Sequence, residues 1–281
     1  MRVAVLCVLL VFLAGGHAAA FEPAVFIVTP EEPAQGDIVR LTMNMPKRSE
    51  GGSVTFAGRT FDGFVSAGLL NVYVGIDMDT APGAHDLKIL YDTGDTGERE
   101  LTIAKKDFAK ESLQVESKFT DLDEPTQTRV GEESARLKAL WNVSTPQRMW
   151  GKSFVKPAVG PNGSPFGLRR VFNGKPRNPH SGIDIKAPNG SDVLAANVGK
   201  VVLAADLFFT GNTVVVDHGL GLYTVYAHLS RIEVAEGDEV DRSQLLGRVG
   251  ATGRVTGPHL HWAVKLGGAR VDPAMLPGVV L

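Results

Sequence analysis

The sequence contains almost no cysteine. Its single cysteine, Cys7, lies in the first 20 residues, so the rest of the chain cannot form an internal disulfide. An excess of charge of one sign is also lacking: 29 Lys and Arg against 31 Asp and Glu give a net charge of −2. This balance argues against a nucleic-acid partner bound through its phosphates. Beyond residue 20 no apolar run reaches the length of about 20 residues that a membrane-spanning helix needs, so we expect no membrane span.

Residues 1–20 have the three-part plan of a secretory signal peptide. A positive start at Met1-Arg2 is followed by the apolar run Val3 to Ala14 and by small residues that end in three alanines. The apolar run is too short to span a bilayer. No cysteine follows the small residues, which argues against a lipid anchor. We therefore expect export, to the periplasm first and to the extracellular space as the alternative.

Strand and turn patterns divide the remaining chain into three parts and predict an all-β protein with a helical linker. Residues 21–105 contain about seven short apolar or alternating runs with turns every 8–12 residues, which is typical of an immunoglobulin-like β-sandwich. This one would lack the cysteine pair of immunoglobulin domains. Residues 157–281 are again β-rich and dense in glycine, which favours a compact antiparallel β core.

Residues 106–156 differ from both flanks because they carry more charge and little glycine. Val130, Ser134, Leu137 and Trp141 recur at helical spacing and predict a helix that begins near Pro125. Such a helix could brace two domains. It could also shape a cleft between them, since binding pockets commonly lie at domain junctions. Both interpretations remain open at this point.

Histidine is scarce, and four of the seven histidines belong to one group of motifs. In a strand, side chains alternate between two faces, so His259 and His261 lie on one face and Leu260 on the other. Together with His180, Asp184 and His228 they offer a nitrogen and oxygen donor set that suits zinc and leaves room for water. From spacing alone, His259 and His261 are equal candidates for binding the metal.

His180 and Asp184 would also share a face if they lie in one strand. Gly182 between them removes a side chain where the backbone approaches the metal. His218, near a turn, is expected to be a structural residue that forms hydrogen bonds.

Three ordered segments carry a family resemblance. HSGIDIKAP at residues 180–188, TVYAHLS at 224–230 and TGPHLHWAV at 256–264 resemble the signature segments of the lysostaphin/LytM-type zinc metallopeptidases. The resemblance covers roughly residues 157–273. That family cuts the peptide cross-bridges of peptidoglycan. The resemblance implies a barrel-like antiparallel sheet with a groove across it, a zinc cofactor, and cross-linked peptides of peptidoglycan as the substrate.

The resemblance also implies a role for each motif residue. It makes His180, Asp184 and His261 the zinc ligands, and His228 and His259 the two catalytic histidines that do not bind the metal. Which of the latter is the general base is left open.

Arg169 and Arg170 are candidates for binding a substrate carboxylate through paired hydrogen bonds. An exposed, solvated position for both arginines is an equal alternative.

The main competing function is a non-catalytic LytM-type regulator that binds the cell wall or activates another hydrolase. Such relatives typically lack metal ligands, whereas this chain retains all three, so an active endopeptidase is favoured. Nothing in the sequence indicates the oligomeric state or which peptide bond is cleaved.

Overall fold

The computed structural model describes residues 20–113, 122–172, 175–176 and 178–278. Residues 1–19, which hold almost all of the predicted signal peptide, and residues 114–121 of the predicted linker lie outside this range. The described residues form mostly β-strands, which confirms the predicted fold class. None of their helices has the length and apolar composition needed to cross a membrane.

Seven antiparallel strands form the N-terminal sheet, in the order β1-β2-β5-β4-β3-β6-β7. Their bounds are β1 Phe26–Thr29, β2 Ile38–Met43, β3 Gly52–Phe56, β4 Arg59–Ser66, β5 Leu69–Gly75, β6 Gly83–Tyr91 and β7 Thr96–Ile103. The number of strands agrees with the turn spacing of the sequence. The predicted immunoglobulin-like sandwich is not confirmed, because β4 pairs with β3 through its first half and with β5 from Gly63 onward. The seven strands are therefore hydrogen-bonded in one continuous sheet.

A small sheet and a helix follow. Strands β8 (Lys110–Leu113), β9 (Arg169–Phe172) and β10 (Lys175–Pro176) form a three-stranded sheet, in which β8 and β9 are parallel. The helix α1 spans Glu124–Trp141, and the Asp123 side chain caps it by accepting a hydrogen bond from the backbone N–H of Thr126. This confirms the helix predicted near Pro125.

The inward side of α1 differs from the predicted stripe at one position. Ser134 is exposed, and Glu133 is half-buried in its place, between Val130 and Leu137. Leu137, Leu140 and Trp141 pack against buried residues of the C-terminal sheet. The helix therefore lies against that sheet, and one of its acidic side chains faces inward.

The C-terminal sheet has nine strands, all in antiparallel pairs. Its main path runs β11-β18-β15-β14-β13-β16, while β17 joins β12 to β15 and β19 pairs with β18. The strands are β11 Gly182–Ile185, β12 Asp192–Leu194, β13 Gly199–Leu207, β14 Gly211–Asp217, β15 Leu222–Ile232, β16 Glu239–Val240, β17 Leu245–Val249, β18 Leu260–Leu266 and β19 Ala269–Val271. A short 3₁₀ helix, Pro273–Met275, follows β19.

The two large sheets share one hydrophobic core, which runs from residues of β2 to residues beyond β19. Gly75 at the end of β5 lies so close to β18 and β19 that an added Cβ atom would be 2.7 Å from the Leu266 carbonyl oxygen. The approach of the sheets therefore requires glycine at this position.

A group of hydrogen-bonded charges also joins the two sheets. The Arg270 side chain donates to Asp77 with an Nε–Oδ2 distance of 3.0 Å, and its backbone N–H donates to the same carboxylate at 2.9 Å. Arg270 also donates to Asp79. Burial alone would raise the pKa of Asp77, but the hydrogen bonds from Arg270 lower it to about 2. Asp77 is therefore ionised at neutral pH and paired across the interface.

His218 lies inside the C-terminal core and is 0% exposed. A carbonyl oxygen can only accept, so the Nδ1–H of His218 donates to the Val198 carbonyl at 2.7 Å. Its Nε2 lies 2.8 Å from the Thr224 hydroxyl, which in turn is 2.9 Å from the Tyr226 hydroxyl. His218 is thus a buried neutral residue whose two ring nitrogens both have partners.

We expect His218 to make the protein less stable in mild acid. Burial lowers its pKa to about 4, against about 6.5 in the unfolded chain. Because the native state binds fewer protons in that window, its contribution is complete above about pH 6.5 and is lost progressively toward pH 4. The loss is of order 3 kcal/mol in the free energy of unfolding. Denaturant titrations of wild type and His218→Gln across this range should show a shallower pH dependence for the variant. Identical slopes would contradict the assignment.

Candidate active site

The three predicted metal ligands come from one loop and two neighbouring strands. Asp184 in β11 and His261 in β18 are directly opposite each other in the strand register. His180 precedes β11, and its backbone N–H donates to the Leu168 carbonyl at 3.0 Å. The backbone N–H of Asp184 donates to the Ser164 carbonyl at 3.0 Å. Long-range strand pairing therefore brings together residues that lie up to 81 positions apart.

Gly182 permits the close approach of these two strands. An added Cβ atom at Gly182 would collide with the carbonyl oxygen of Trp262 and lie 2.8 Å from the side chain of Ala263. The expectation that glycine is needed at position 182 because the backbone approaches the metal is therefore wrong. The space is needed by β18.

The donor atoms of His180, Asp184 and His261 converge. His180 Nε2 lies 2.9 Å from Asp184 Oδ1 and 2.9 Å from His261 Nδ1, and the latter is 3.1 Å from Asp184 Oδ1. Tetrahedral zinc with ligand bonds of 2.0–2.1 Å places its ligand atoms about 3.3 Å apart. The spacing and the two-nitrogen, one-oxygen donor set therefore fit zinc.

The surroundings of these three residues set the protonation state of their donor atoms. The Nδ1–H of His180 donates to the Pro165 carbonyl at 2.9 Å, which leaves the Nε2 lone pair for a ligand. Burial alone would raise the pKa of Asp184, but the adjacent rings of His180 and His261 hold this pKa well below its usual range. Burial lowers the pKa of His261. An ionised carboxylate and neutral imidazoles are the forms that bind a metal ion.

His228 lies beside this group at a bulge in β15. Asn212 pairs with Leu229 and Val214 pairs with Tyr226, so Ala227 and His228 together face the single residue between them on β14. The bulge gives His228 a left-handed backbone with φ of 65°, which costs a non-glycine residue about 1–2 kcal/mol.

Two backbone carbonyls hold His228 in this conformation. Its backbone N–H donates to the Thr210 carbonyl at 2.8 Å, and its ring Nδ1–H donates to the Thr252 carbonyl at 2.9 Å. Burial lowers the pKa of His228 to about 4, and the nearby His261 acts in the same direction.

His259 completes the cluster from the residue before β18. Its ring Nδ1–H donates to the Gly257 carbonyl at 2.9 Å, and its Nε2 is 3.7 Å from Asp184 Oδ1. The ring centroids of His228 and His259 are 4.9 Å apart. The rings of His259 and His261 both approach Asp184 Oδ1, so these two residues share a face, as the predicted alternation requires. His180, Asp184 and His261 form the group whose donor atoms lie within 4.8 Å of one another.

The side chains of Arg169 and Arg170 both have partners within the protein. Arg169 donates to Asp79 at 2.7 Å, and its guanidinium lies 5.3 Å from the centre of the Phe108 ring. Arg170 donates to Glu111 at 3.3 Å and to the Ser164 hydroxyl at 3.0 Å. Their binding of a substrate carboxylate remains a prediction.

The sequence did not reveal the groups that position His228. These groups are main-chain oxygens of Thr210 and Thr252. Every residue has a backbone carbonyl, so the residue type does not show which carbonyls accept these hydrogen bonds. The one available signal is the glycine at position 211, where φ is 59° and an added Cβ atom would collide with the Thr252 hydroxyl. That contact marks a close approach between the two loops.

Comparison with known proteins identifies the family. Residues 178–273 match the model of peptidase family M23. The crystal structure of a Pseudomonas aeruginosa protein described as a peptidase M23 is 33% identical, with a TM-score of 0.72 over 87% of this chain and 94% of that chain. The chain belongs to peptidase family M23. The resemblance inferred from the three motifs is thereby confirmed, and within M23 the similarity to the Pseudomonas aeruginosa protein extends over the N-terminal sheet as well.

Curated relatives match a little over a third of the chain. Peptidoglycan DD-endopeptidase ShyA of Vibrio cholerae is 44% identical over 94 residues, which are 34% of this chain and 22% of ShyA. DD-carboxypeptidase/endopeptidase Mpg of Neisseria meningitidis is 41% identical over 110 residues, which are 39% of this chain and 25% of Mpg. The matches thus span about a quarter of the length of these relatives.

Proposed function

We propose that this chain is an exported zinc endopeptidase that hydrolyses peptide cross-links of peptidoglycan. The observation that carries the proposal is the convergence of three donor atoms, from His180, Asp184 and His261, beside the paired rings of His228 and His259. Amide hydrolysis needs an activated water and groups that transfer protons. A metal ion held by the first three residues would supply the water, and the two imidazoles beside them would transfer the protons.

His180, Asp184 and His261 would hold the ion. A bound zinc ion would lower the pKa of a water molecule to about 7 and polarise the carbonyl of the scissile bond. The low pKa of Asp184 keeps its carboxylate available as a ligand throughout the neutral range. The Pro165 carbonyl fixes the orientation of the His180 ring.

His228 and His259 would move protons. Each ring is anchored through Nδ1–H to a backbone carbonyl, so Nε2 is the nitrogen that can react. A neutral Nε2 accepts the proton of the attacking water. Once protonated, it can donate to the developing oxyanion or to the leaving amine. The anchoring is the same for both rings, and the division of roles between them is left to kinetics.

The names of the relatives favour one substrate chemistry. Both ShyA and Mpg are described as DD-peptidases, so we propose a cross-link between D-configured centres rather than a glycine bridge. The signal-peptide pattern of residues 1–20 supports export to the periplasm, where such a substrate lies.

Digestion of purified cell-wall sacculi tests this proposal. The zinc-loaded protein is incubated with sacculi, and the released muropeptides are analysed by mass spectrometry. We expect cross-linked dimers to disappear and monomers to accumulate, with the loss occurring at DD bonds. Chelation should stop the reaction, and zinc addition should restore it.

The regulator alternative predicts a different outcome. A non-catalytic regulator would bind sacculi without changing the ratio of dimers to monomers, whether or not zinc is present. Unchanged dimers in the presence of protein that contains zinc would therefore overturn the endopeptidase proposal.

A further inference from the structure

Glu133 on α1 contacts the tip of the hairpin that joins β13 to β14. Its Oε2 accepts a hydrogen bond from the backbone N–H of Phe208 at 2.9 Å, and its side chain is only 17% exposed. Arg129, one turn earlier, donates to the other oxygen of Glu133 at 2.6 Å and to the Asp206 carboxylate at 3.1 Å. The Arg129 guanidinium also lies 6.0 Å from the centre of the Phe208 ring. Two side chains of α1 therefore fix the hairpin tip.

The same hairpin tip touches the active-site cluster on its other side. The Thr210 carbonyl is the acceptor for the backbone N–H of His228. The backbone N–H of Asn212 donates to the Thr252 hydroxyl at 3.0 Å, and the Thr252 carbonyl is the acceptor for the His228 ring. Both acceptors that hold His228 are thus attached to the segment that Glu133 holds.

His228 is sensitive to this support because its backbone is in the left-handed region at a bulge. Displacing either carbonyl removes a hydrogen bond that offsets the cost of this conformation or fixes the orientation of the ring. A displacement of about 1 Å at a catalytic group can reduce the rate by about 100-fold.

We propose that Glu133 is a positioning residue for His228 and acts through residues 208–210. The inference rests on the proposed peptidase function. Glu133 contacts neither the three proposed metal ligands nor the two catalytic rings. Its contribution is to keep the Thr210 carbonyl where the backbone of His228 needs it.

The kinetic test compares Glu133→Ala with Glu133→Gln and Glu132→Ala. Glutamine retains an oxygen that can accept from Phe208, whereas alanine does not. Glu132 is exposed on the same helix, so its replacement controls for the change in helix propensity. With a soluble cross-linked muropeptide, Glu133→Ala should lower kcat about tenfold with KM within about twofold and unchanged zinc content. Glu133→Gln should recover most of kcat, and Glu132→Ala should match wild type.

Combining variants tests whether Glu133 acts through His228. In a His228→Ala background, adding Glu133→Ala should cause no further loss of kcat, because the group being positioned is already absent. An equal loss in both backgrounds, or a loss of zinc in Glu133→Ala alone, would show that Glu133 acts on the fold or the metal group and would overturn the proposal. An unchanged kcat in Glu133→Ala would do the same.

A spectroscopic measurement separates this inference from the proposed function. The ring Nδ1–H resonance of His228 is assigned by its absence in His228→Ala, and its exchange with solvent is measured by NMR. We expect exchange at least about tenfold faster in Glu133→Ala than in wild type or Glu132→Ala. This result does not depend on cleavage. If wild type cleaves nothing, the proposed function fails, but the exchange rates still decide whether Glu133 positions His228. Equal exchange rates in Glu133→Ala and wild type would refute the positioning role.

Discussion

Alanine at His180, Asp184 or His261 is expected to remove zinc and, with it, cleavage. Each substitution deletes one of three converging donor atoms, and three protein ligands are the usual minimum for a catalytic zinc site. Metal analysis of the wild type should find one zinc ion per chain, and each variant should retain almost none after gentle dialysis. Cleavage of cross-linked muropeptides should fall to background in all three.

A matched control is His85→Ala, since His85 lies half-buried in the N-terminal sheet, away from the cluster, and contacts the Ala81 carbonyl. It should keep its zinc and its activity. The decisive comparison is between the two histidines around Leu260. If His259→Ala lost zinc while His261→Ala retained it, the ligand assignment would be inverted.

Alanine at His228 or His259 is expected to leave zinc in place and to lower the rate of cleavage by about 10²–10⁴. Neither ring belongs to the converging donor group, yet both present a reactive Nε2 beside it. Removing one therefore takes away proton transfer or oxyanion support while the metal ligands remain. Zinc content and single-turnover cleavage rates, measured on the same preparations, test this separation.

The double variant His228→Ala/His259→Ala adds information about roles. If the two rings act as one unit, their combined loss should be close to that of the more damaging single variant. Independent roles would make the losses multiply. A single variant of either residue that cleaves at the wild-type rate would exclude that residue from catalysis.

The sequence predicted the part of the site that depends on local periodicity. His259 and His261 share a face because strand side chains alternate, and both rings approach the same oxygen of Asp184. The register that sets Asp184 opposite His261 depends on pairing between strands 77 residues apart, which no local pattern encodes. The motif resemblance supplied that association instead.

Other features were beyond prediction for the same physical reason. The partners of Arg169 and Arg170 are Asp79 and Glu111, which come from 90 and 59 residues earlier in the chain. In the N-terminal sheet, turn spacing predicted the number of strands. Their arrangement in one sheet follows from the change of partner along β4, which turn spacing does not specify.

The contact between the two large sheets limits how the chain can be recombined. Exchanging the N-terminal sheet for an unrelated one would leave Arg270 without the carboxylates of Asp77 and Asp79, and it would uncover Leu266 and Ala269. β18, which carries His261, ends at that same contact. A graft that preserves the end of β18 must therefore carry the facing surface of β5 with it.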